Sequence, residues 1–421
     1  MIPDRSIDER LSAWLLEEAP SQLPDRVLQT TFERTLSTRQ RRPLLGRWSF
    51  PKLTHRWILV VLALIIVLAA TLLAIGSRLP QPRLPVSGRN GLVAFDADWR
   101  VFVQNSDGTG RKQLTAGTND FWPIWSPDGT KLAFYRTPVK DAQPWNRGVS
   151  IWVAAAGDLV ATEATAGMPI DLDEVWLYSW AHDSDSLAFA TGSLVSSELY
   201  VGYADGRTPR RILDGSLSPR EPAWSPTGAT IAFTGGPDDK DRGIYLIDVD
   251  GSRLRRLTTE GRFVTKYSYV TWSPDGTRLV YQAGDPGGED LWTVNADGSG
   301  ERRLTDTPYP ISEYRPAWSP DGTTIAFQRI DHSIPSTTVN VMNADGSDRH
   351  RVSRETPIAQ PLAWSPDGTR ILTSACAAAS EYSCNDTWDI LILDPSGHDQ
   401  PRRLATEPGL GVILSWQRLS P

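Results

Sequence analysis

The sequence has few of the residue types that usually carry catalysis or hold a metal ion. Among its 421 residues there are only five histidines and two cysteines. No H-x-x-x-H spacing indicates zinc, no G-x-S-x-G indicates a hydrolase nucleophile, and no D-x-D-x-D spacing indicates a calcium loop. We therefore expect a protein that is not an enzyme and needs no cofactor and no metal. A weakly bound cation in acidic loops is the remaining alternative.

Positive charge is also scarce outside the first 56 residues. Residues 1–56 contain 10 basic and 7 acidic side chains, whereas residues 77–421 contain 33 basic and 43 acidic side chains. A polyphosphate partner needs a basic surface, which an acidic main domain does not offer. The charge distribution therefore argues against a nucleic-acid partner.

One segment lacks both charge and proline. Residues 57–76 are predominantly apolar and would form a helix about 30 Å long, which matches the hydrocarbon core of a bilayer. Six basic residues lie within 39–56 and three within 77–89, so the positive-inside rule places the N-terminus in the cytoplasm. We predict a single-pass protein of the cell membrane; a cleaved signal peptide and a buried globular helix are the alternatives.

Tryptophan, by contrast, is abundant and recurs within a repeated unit. The unit Trp-Ser-Pro-Asp-Gly-Thr begins at Trp125, Trp272, Trp318 and Trp364, with a near copy at Trp224 and a degenerate one at Trp180. Ser-Pro-Asp-Gly predicts a type I turn, and a short apolar strand follows it. A third strand and an Asp-Gly hairpin turn come next in most copies. Four strands in each repeat of 40–50 residues are typical of a β-propeller blade.

The two ends of the repeat region predict the number of blades. The region opens at residues 91–95 with a second strand that lacks its tryptophan strand, and it ends at residues 412–416 with a tryptophan strand that lacks successors. Pairing the two closes the ring and removes its open edge. We therefore predict an all-β fold, a seven-bladed propeller of four-stranded blades over residues 90–417. A helical cytoplasmic stub (1–56), a transmembrane helix (57–76) and a linker (77–89) precede it.

The repeats resemble those of TolB-like β-propellers, which are relatives of WD-repeat rings. The resemblance covers about 330 residues and rests on the Trp-Ser-Pro-Asp-Gly units. It implies the fold and little about function, because such propellers host many activities.

Residues 1–56 also contain two short helical patterns. Ser6 to Glu9 form a capping box, and apolar residues follow at helical spacing. Two short helices bury too little surface to be stable alone. Residues 6–38 are either a docking element for a cytoplasmic protein or a loosely ordered stub that leans on membrane lipid.

The repeats indicate which face of the ring is free to bind a ligand. The nearly invariant Ser-Pro-Asp-Gly and Asp-Gly turns share one face, the turn face. The second-to-third and blade-to-blade loops share the other, the loop face, and vary in sequence. For each candidate contact residue there, an ordinary solvated side chain is the alternative. The candidates are Trp145, Asp171, Asp173, Trp176, Glu221, Asp239, Tyr267, Glu289, Tyr314, Arg315, His332 and Tyr382.

The only two cysteines lie in one loop of the last repeat. Cys376 and Cys384 are eight positions apart, and an even count in an extracytoplasmic domain predicts a disulfide. Two free thiols are the alternative.

These features predict an anchored propeller that binds a protein, peptide or glycan of the cell envelope. Signalling to a cytoplasmic partner is an additional hypothesis. A propeller-based glycan lyase or hydrolase is the second hypothesis, which convergent charged residues with shifted pKa values in the channel would favour. A purely structural envelope scaffold is the third, which the absence of a ligand-sized pocket on the loop face would favour.

Overall fold

The computed structural model describes the propeller part of the chain. The described residues are 89–115, 119–138, 148–157, 160–168, 175–192, 196–259, 264–265, 268–284, 288–334, 336–356, 362–376, 379–380, 383–384, 387–408 and 414–419. No helix in these ranges is long and apolar enough to cross a membrane. The predicted stub and the predicted transmembrane helix at 57–76 lie outside the described residues.

The described chain forms seven four-stranded antiparallel sheets, which confirms the predicted seven-bladed propeller. Blade 1 contains β30 and β1–β3, and blades 2 to 6 contain β4–β7, β8–β11, β12–β15, β16–β19 and β20–β23. Blade 7 contains β24, β25, β28 and β29, with a separate hairpin of β26 and β27. A 3-10 turn at Gly215–Leu217 precedes β12. In chain order the strands are β1 (Arg89–Ala97), β2 (Arg100–Gln104), β3 (Lys112–Gln113), β4 (Asp120–Trp125), β5 (Lys131–Arg136), β6 (Ser150–Ala155), β7 (Ala161–Glu163), β8 (Val175–Trp180), β9 (Ser186–Gly192), β10 (Ser197–Tyr203), β11 (Arg210–Leu213), β12 (Arg220–Trp224), β13 (Thr230–Gly235), β14 (Gly243–Asp248), β15 (Arg255–Arg256), β16 (Val270–Trp272), β17 (Arg278–Ala283), β18 (Asp290–Asn295), β19 (Arg302–Arg303), β20 (Ile311–Trp318), β21 (Thr324–Asp331), β22 (Ser336–Asn343), β23 (His350–Arg351), β24 (Ala363–Trp364), β25 (Ile371–Cys376), β26 (Ala379–Ser380), β27 (Ser383–Cys384), β28 (Thr387–Leu393), β29 (Arg402–Pro408) and β30 (Leu414–Leu419).

The ring closes through the C-terminal strand, as the sequence predicts. β30 pairs with β1 so that Trp416 lies opposite Val93 and Leu414 opposite Phe95. The Gln417 amide nitrogen donates to the Gly129 carbonyl of blade 2 at 2.8 Å, which ties the closing strand to the next blade.

The repeated turn satisfies its own polar groups. In blade 5 the hydroxyl of Ser273 donates to Asp275 Oδ1 at 2.5 Å, and Thr277 donates to the same oxygen from its backbone nitrogen (3.0 Å) and its hydroxyl (2.8 Å). Burial would raise the pKa of Asp275, but these hydrogen bonds outweigh it and hold the pKa below its usual value. Gly276 takes a left-handed conformation, φ +68°, which glycine adopts without steric cost.

Three of the repeat tryptophans, Trp180, Trp272 and Trp364, join neighbouring blades. Trp272 donates from its indole nitrogen to the Ala223 carbonyl of the preceding blade at 2.9 Å, and Trp364 does the same to Ala317 at 3.0 Å. Trp272 is 8% exposed, and burial of so large a ring contributes about 2–3 kcal/mol. These residues therefore bind the blades together and are not available for a ligand.

Both ends of the described propeller lie on the turn face. Asn90, at the start of β1, donates to the turn carboxylate of Asp367 at 2.7 Å. Gln417, near the end of β30, contacts the turn of blade 2 through Gly129. Neither end therefore obstructs the loop face.

The predicted disulfide lies beside β26 and β27. Cys376 ends β25, and the described residues contain no free cysteine. Only the backbone of Cys384 is described, so the bridge between Cys376 and Cys384 stays a prediction.

Candidate functional site at the mouth of the channel

Three innermost strands carry the same backbone irregularity. Trp122, Glu221 and Arg315 each stand three residues before a repeat tryptophan and immediately before a proline. All three have left-handed backbone angles, with φ of 55°, 49° and 50°. The ladder register shifts at these points in β4, β12 and β20, so each residue occupies a β-bulge.

The bulges follow from the prolines and are held by neighbouring blades. A proline has no N–H for a ladder, so it is tolerated in a sheet only at an edge or a bulge. The innermost strands offer both. The backbone nitrogen of Trp122 donates to Asp96 of blade 1, and that of Arg315 donates to Gln282 of blade 5, both at 3.3 Å. These contacts hold conformations that cost about 1–3 kcal/mol each in a non-glycine residue.

An aromatic group forms one side of this region. The rings of Tyr135 and Tyr178 meet edge to face at 5.0 Å, and Trp122 meets Tyr135 at 5.7 Å. The hydroxyl of Tyr178 donates to the carbonyl of Trp122 at 3.0 Å. Burial raises the pKa values of both tyrosines well above the usual range, so they are neutral donors.

A charged group forms the other side. The Arg315 guanidinium lies over the ring of Tyr269, 5.1 Å from its centroid. Glu221 is 8% exposed, and this burial raises the pKa of its carboxyl to about 7. The charges of Arg315 and Arg220 oppose that rise without cancelling it. Glu221 therefore changes charge near neutral pH.

The two groups act on one another electrostatically. The negative charge of Glu221, together with Tyr178 and Tyr269, contributes to the raised pKa of Tyr135 after burial. We call these six residues the bulge site: Trp122, Tyr135, Tyr178, Glu221, Tyr269 and Arg315. The site combines aromatic surface, a guanidinium and a carboxyl that titrates near pH 7.

A second group of predicted residues meets between blades 5 and 6. Glu289 Oε2 accepts hydrogen bonds from Ser312 at 2.9 Å and Tyr314 at 2.7 Å, and His332 Nε2 lies 3.1 Å from the Ser312 hydroxyl. Because Ser312 is fully buried and donates its proton to Glu289, it is not an accessible nucleophile activated by His332. This cluster stabilises the loop end of blade 6.

The structure thus brings together five of the predicted contact residues, in two places. Glu221 and Arg315 belong to the bulge site, and Glu289, Tyr314 and His332 form the cluster with Ser312. Asp239 stands apart, exposed, with its carboxylate 3.9 Å from Arg242. Of Trp176 only the backbone in β8 is described, and Trp145, Asp171, Asp173, Tyr267 and Tyr382 lie outside the described residues.

Sequence reasoning missed four members of the bulge site. Trp122, Tyr135, Tyr178 and Tyr269 lie within or beside predicted strands and not in the variable loops. The signal for Trp122 was a proline two residues before the repeat tryptophan, which marks a bulge that redirects the preceding side chain. The tyrosines carried no comparable signal, because aromatic residues are ordinary in strands.

The site offers binding groups and one candidate acid or base. Within the described ranges, no three His, Cys, Asp or Glu side chains are placed to hold a metal ion. Arg315 suits a carboxylate or other acceptor, and the aromatic rings suit apolar or planar groups. Glu221, with a pKa near neutrality, suits proton transfer as well as hydrogen bonding.

Comparison with known families agrees with this architecture. A model of the TolB β-propeller domain matches residues 174–367. The chain carries a TolB-like β-propeller. An uncharacterized protein of Agrobacterium fabrum is 27% identical over 191 residues, which cover 44% of this chain and 58% of that protein. The Tol-Pal system protein TolB of Anaeromyxobacter dehalogenans is 31% identical over 111 residues, or 26% of this chain and 24% of that protein.

The chain therefore matches less than two thirds of the length of each of these relatives. Among solved structures, an oligogalacturonate lyase in complex with manganese has a TM-score of 0.52 at 18% identity, with 70% of this chain and 82% of that chain covered. This likeness shows the fold alone.

Proposed function

We propose that the protein is a membrane-anchored, extracytoplasmic binding protein whose bulge site holds a segment of an envelope protein or peptide. The observation that carries the proposal is the set of three left-handed residues at equivalent bulges. Each presents a different recognition group: an indole, a carboxyl and a guanidinium. Strain retained at three matching positions is characteristic of a functional surface.

The composition of the site supports a protein or peptide ligand. Tryptophan, tyrosine and arginine dominate the binding energy of protein interfaces, and three such residues of the bulge site, Trp122, Tyr269 and Arg315, are partly exposed. The loop face is free of both described chain ends, and one relative is a component of the Tol-Pal system. A glycan is the other ligand class that these side chains fit.

Photo-crosslinking in intact cells tests this function. Replacing Trp122 with p-benzoylphenylalanine keeps an aromatic ring in the site, and the same replacement of Tyr203 on the turn face is the control. We expect a discrete adduct from position 122 and none from position 203, and R315A should weaken the adduct at position 122. Equal adducts at both positions, or an adduct indifferent to R315A, would contradict the proposal.

The anchor, the cellular location and the disulfide belong to the same proposal and share one experiment. Cys376 and Cys384 are the only cysteines, so a membrane-impermeant maleimide on whole cells reports on them directly. We expect labelling only after mild reduction, and a T31C variant in the predicted cytoplasmic stub should react only in permeabilised cells. Labelling of the propeller that requires permeabilisation would refute the topology, and labelling without reduction would refute the bridge.

Residues 6–38 are proposed as the docking element for a cytoplasmic protein. Crosslinking from position 14, with W14 replaced by p-benzoylphenylalanine, should capture a soluble cytoplasmic partner. An adduct with lipid alone would support the membrane-leaning stub instead.

A glycan lyase or hydrolase is the second candidate function, and Glu221 is the observation that favours it. Arg315 and Arg220 act electrostatically on Glu221, and burial raises the pKa of Glu221 to about 7. A polysaccharide-cleavage assay on membranes with wild type and E221Q tests it. Cleavage lost in E221Q would establish the enzyme, and absence of cleavage with intact crosslinking would leave the binding function.

A further inference from the structure

Among the described residues, the strands of blade 6 are longer at the loop face than those of the blades beside it. Its strands β20, β21 and β22 each have eight residues, whereas the corresponding strands of blade 5 have three, six and six and those of blade 7 have two, six and seven. The additional pairs place Ile311 opposite Asp331, and Asp331 opposite Ser336. Side chains at alternate positions share one face of a sheet, so the extension places the partly exposed Arg329, Asp331 and Ser336 on one face.

A cavity of about 320 Å³ lies on this exposed face. That volume is at the lower end of the range for small-molecule sites. Arg329, Asp331, Ser336 and Asn340 line it from the sheet, and Ile334 lines it from the hairpin tip. None of these residues belongs to the bulge site, so the cavity is a separate place for a ligand.

The cavity presents hydrogen-bond donors that the described protein does not use. The side chain of Arg329 donates no hydrogen bond within the described part of the chain, and its guanidinium lies 3.9 Å from the Glu313 carboxylate. Arg351 donates from one nitrogen to Glu355 at 2.8 Å. A guanidinium has five N–H groups, so others can donate to a ligand. The Ser336 hydroxyl has no described side-chain or backbone partner.

The cavity presents acceptors as well. Asp331 uses Oδ1 to accept from the backbone nitrogen and hydroxyl of Ser333, at 2.9 and 2.5 Å, and its carboxylate also interacts with the backbone of Ile334. A carboxylate has about four acceptor positions, so capacity for a ligand remains. Asn340 donates from its amide nitrogen to Thr338 at 2.8 Å, which leaves its carbonyl oxygen as an acceptor. Donors and acceptors therefore alternate around the same space.

Charge and apolar surface narrow the class of ligand. The two guanidinium groups of Arg329 and Arg351 are balanced by the carboxylates of Asp331 and Glu355, so the lining has no excess charge to attract an anion. Ile311 and Ile334 supply apolar wall, and Ile334 is 52% exposed. A sugar ring matches this combination, because each hydroxyl both donates and accepts while the ring carbons are apolar.

We propose that this blade 6 cavity binds one neutral sugar unit of an envelope glycan, with Arg329 and Ser336 as donors and Asp331 and Asn340 as acceptors. The proposal is independent of the bulge site. The propeller would then hold a protein partner at the channel mouth and a glycan on blade 6, both on the loop face.

Saturation-transfer NMR on the full-length protein tests the proposal, in a detergent without a sugar headgroup. The probes are cellobiose and N,N′-diacetylchitobiose as neutral disaccharides and digalacturonate as the charged one. We expect a saturable signal from at least one neutral disaccharide, with a Kd of about 1 mM, and weaker binding of digalacturonate. R329M should raise the Kd at least about tenfold and S336V about threefold, as the loss of charged and neutral hydrogen bonds predicts.

The matched control is R349M, which removes an exposed arginine from the turn face of the same blade. It should leave the Kd unchanged. If R329M does not fold, as its melting temperature would show, S336V decides alone, since valine suits a strand position. Three outcomes would overturn the proposal: no saturable signal from either neutral disaccharide, tighter binding of digalacturonate, or an unchanged Kd in S336V.

Discussion

The two faces of the propeller differ in how their carboxylates are satisfied and in which residues take left-handed backbone angles. In the intact Ser-Pro-Asp-Gly turns each carboxylate accepts from the serine two residues before it and the threonine two residues after it, and each left-handed position is a glycine. On the loop face left-handed positions are filled by Trp122, Glu221 and Arg315, and a carboxyl is buried at a raised pKa. The intact Ser-Pro-Asp-Gly turns avoid backbone strain, whereas the three bulges retain it.

This difference is consistent with turns whose sequence repeats and with bulges whose side chains differ from blade to blade. A turn whose hydrogen bonds are local can be copied from blade to blade without regard to its neighbours. A bulge whose N–H is held by another blade, as Trp122 is by Asp96, depends on residues far away in sequence. Local hydrogen bonding favours repetition of the turns, whereas the side chains of the bulge site are free to differ between blades.

The largest loss of stability on the turn face should come from G129A. Gly129 has φ +72°, and an added Cβ would lie 1.9 Å from the Arg418 carbonyl oxygen at the ring closure. Backbone cannot yield as a flexible side chain does, so we expect strain and overpacking to lower the free energy of unfolding by about 3–4 kcal/mol. Urea unfolding followed by tryptophan fluorescence measures it.

Two other glycines of the same face separate the effect of conformational strain from that of the backbone clash. Gly157 has φ +86° and nothing within 4 Å of an added Cβ, so G157A should cost only the conformational strain, about 1–2 kcal/mol. Gly228 has neither a positive φ nor a close neighbour, so G228A should lie within about 0.5 kcal/mol of wild type. Equal effects of all three substitutions would show that contacts at the closure are unimportant.

On the loop face, E221Q should remove the loss of stability that comes from ionising a buried carboxyl. The pKa of Glu221 is raised from its usual 4.5 to about 7, so its contribution to stability is complete below pH 4.5 and is lost as the pH rises through 7. Glutamine does not ionise. We expect E221Q to match wild type at pH 4 and to exceed it by about 3 kcal/mol at pH 8. A difference between the two proteins that is independent of pH would show that Glu221 does not titrate near neutrality.

The turn-face carboxylates should respond to pH with the opposite sign. The hydrogen bonds to Asp275 outweigh its burial and lower its pKa, so its contribution is present above pH 3.8 and is lost as the pH falls below that value. We expect D275A to lower the free energy of unfolding by about 2 kcal/mol at pH 7 and by less at pH 3. Unfolding curves at the two pH values decide this, and a larger loss at pH 3 would contradict it.

How much of each face could be predicted from sequence follows from the same contrast. The Trp-Ser-Pro-Asp-Gly units predicted the blades, and the unpaired strands at residues 91–95 and 412–416 predicted their number and the closure. This was possible because a turn with local hydrogen bonds requires specific residue types at adjacent positions. The bulge site could be predicted only in part. Glu221 and Arg315 stood out as charged residues near loops, but Tyr178 and Tyr269 reach the site only through the curvature of the ring, which no local pattern encodes.

The near copy of the turn in blade 4 gives the smallest and most specific test. There Thr227 replaces the aspartate, and its hydroxyl lies 3.5 Å from that of Ser225, which is a poor substitute for the carboxylate bonds of the other copies. T227D should restore acceptors for the Ser225 hydroxyl and the Ala229 backbone nitrogen, and raise the free energy of unfolding by about 1 kcal/mol. A double-mutant cycle with S225A isolates the new bond, since the gain should shrink when its partner is absent. A gain that survives S225A unchanged would mean that the aspartate acts through its charge on the face and not through the turn.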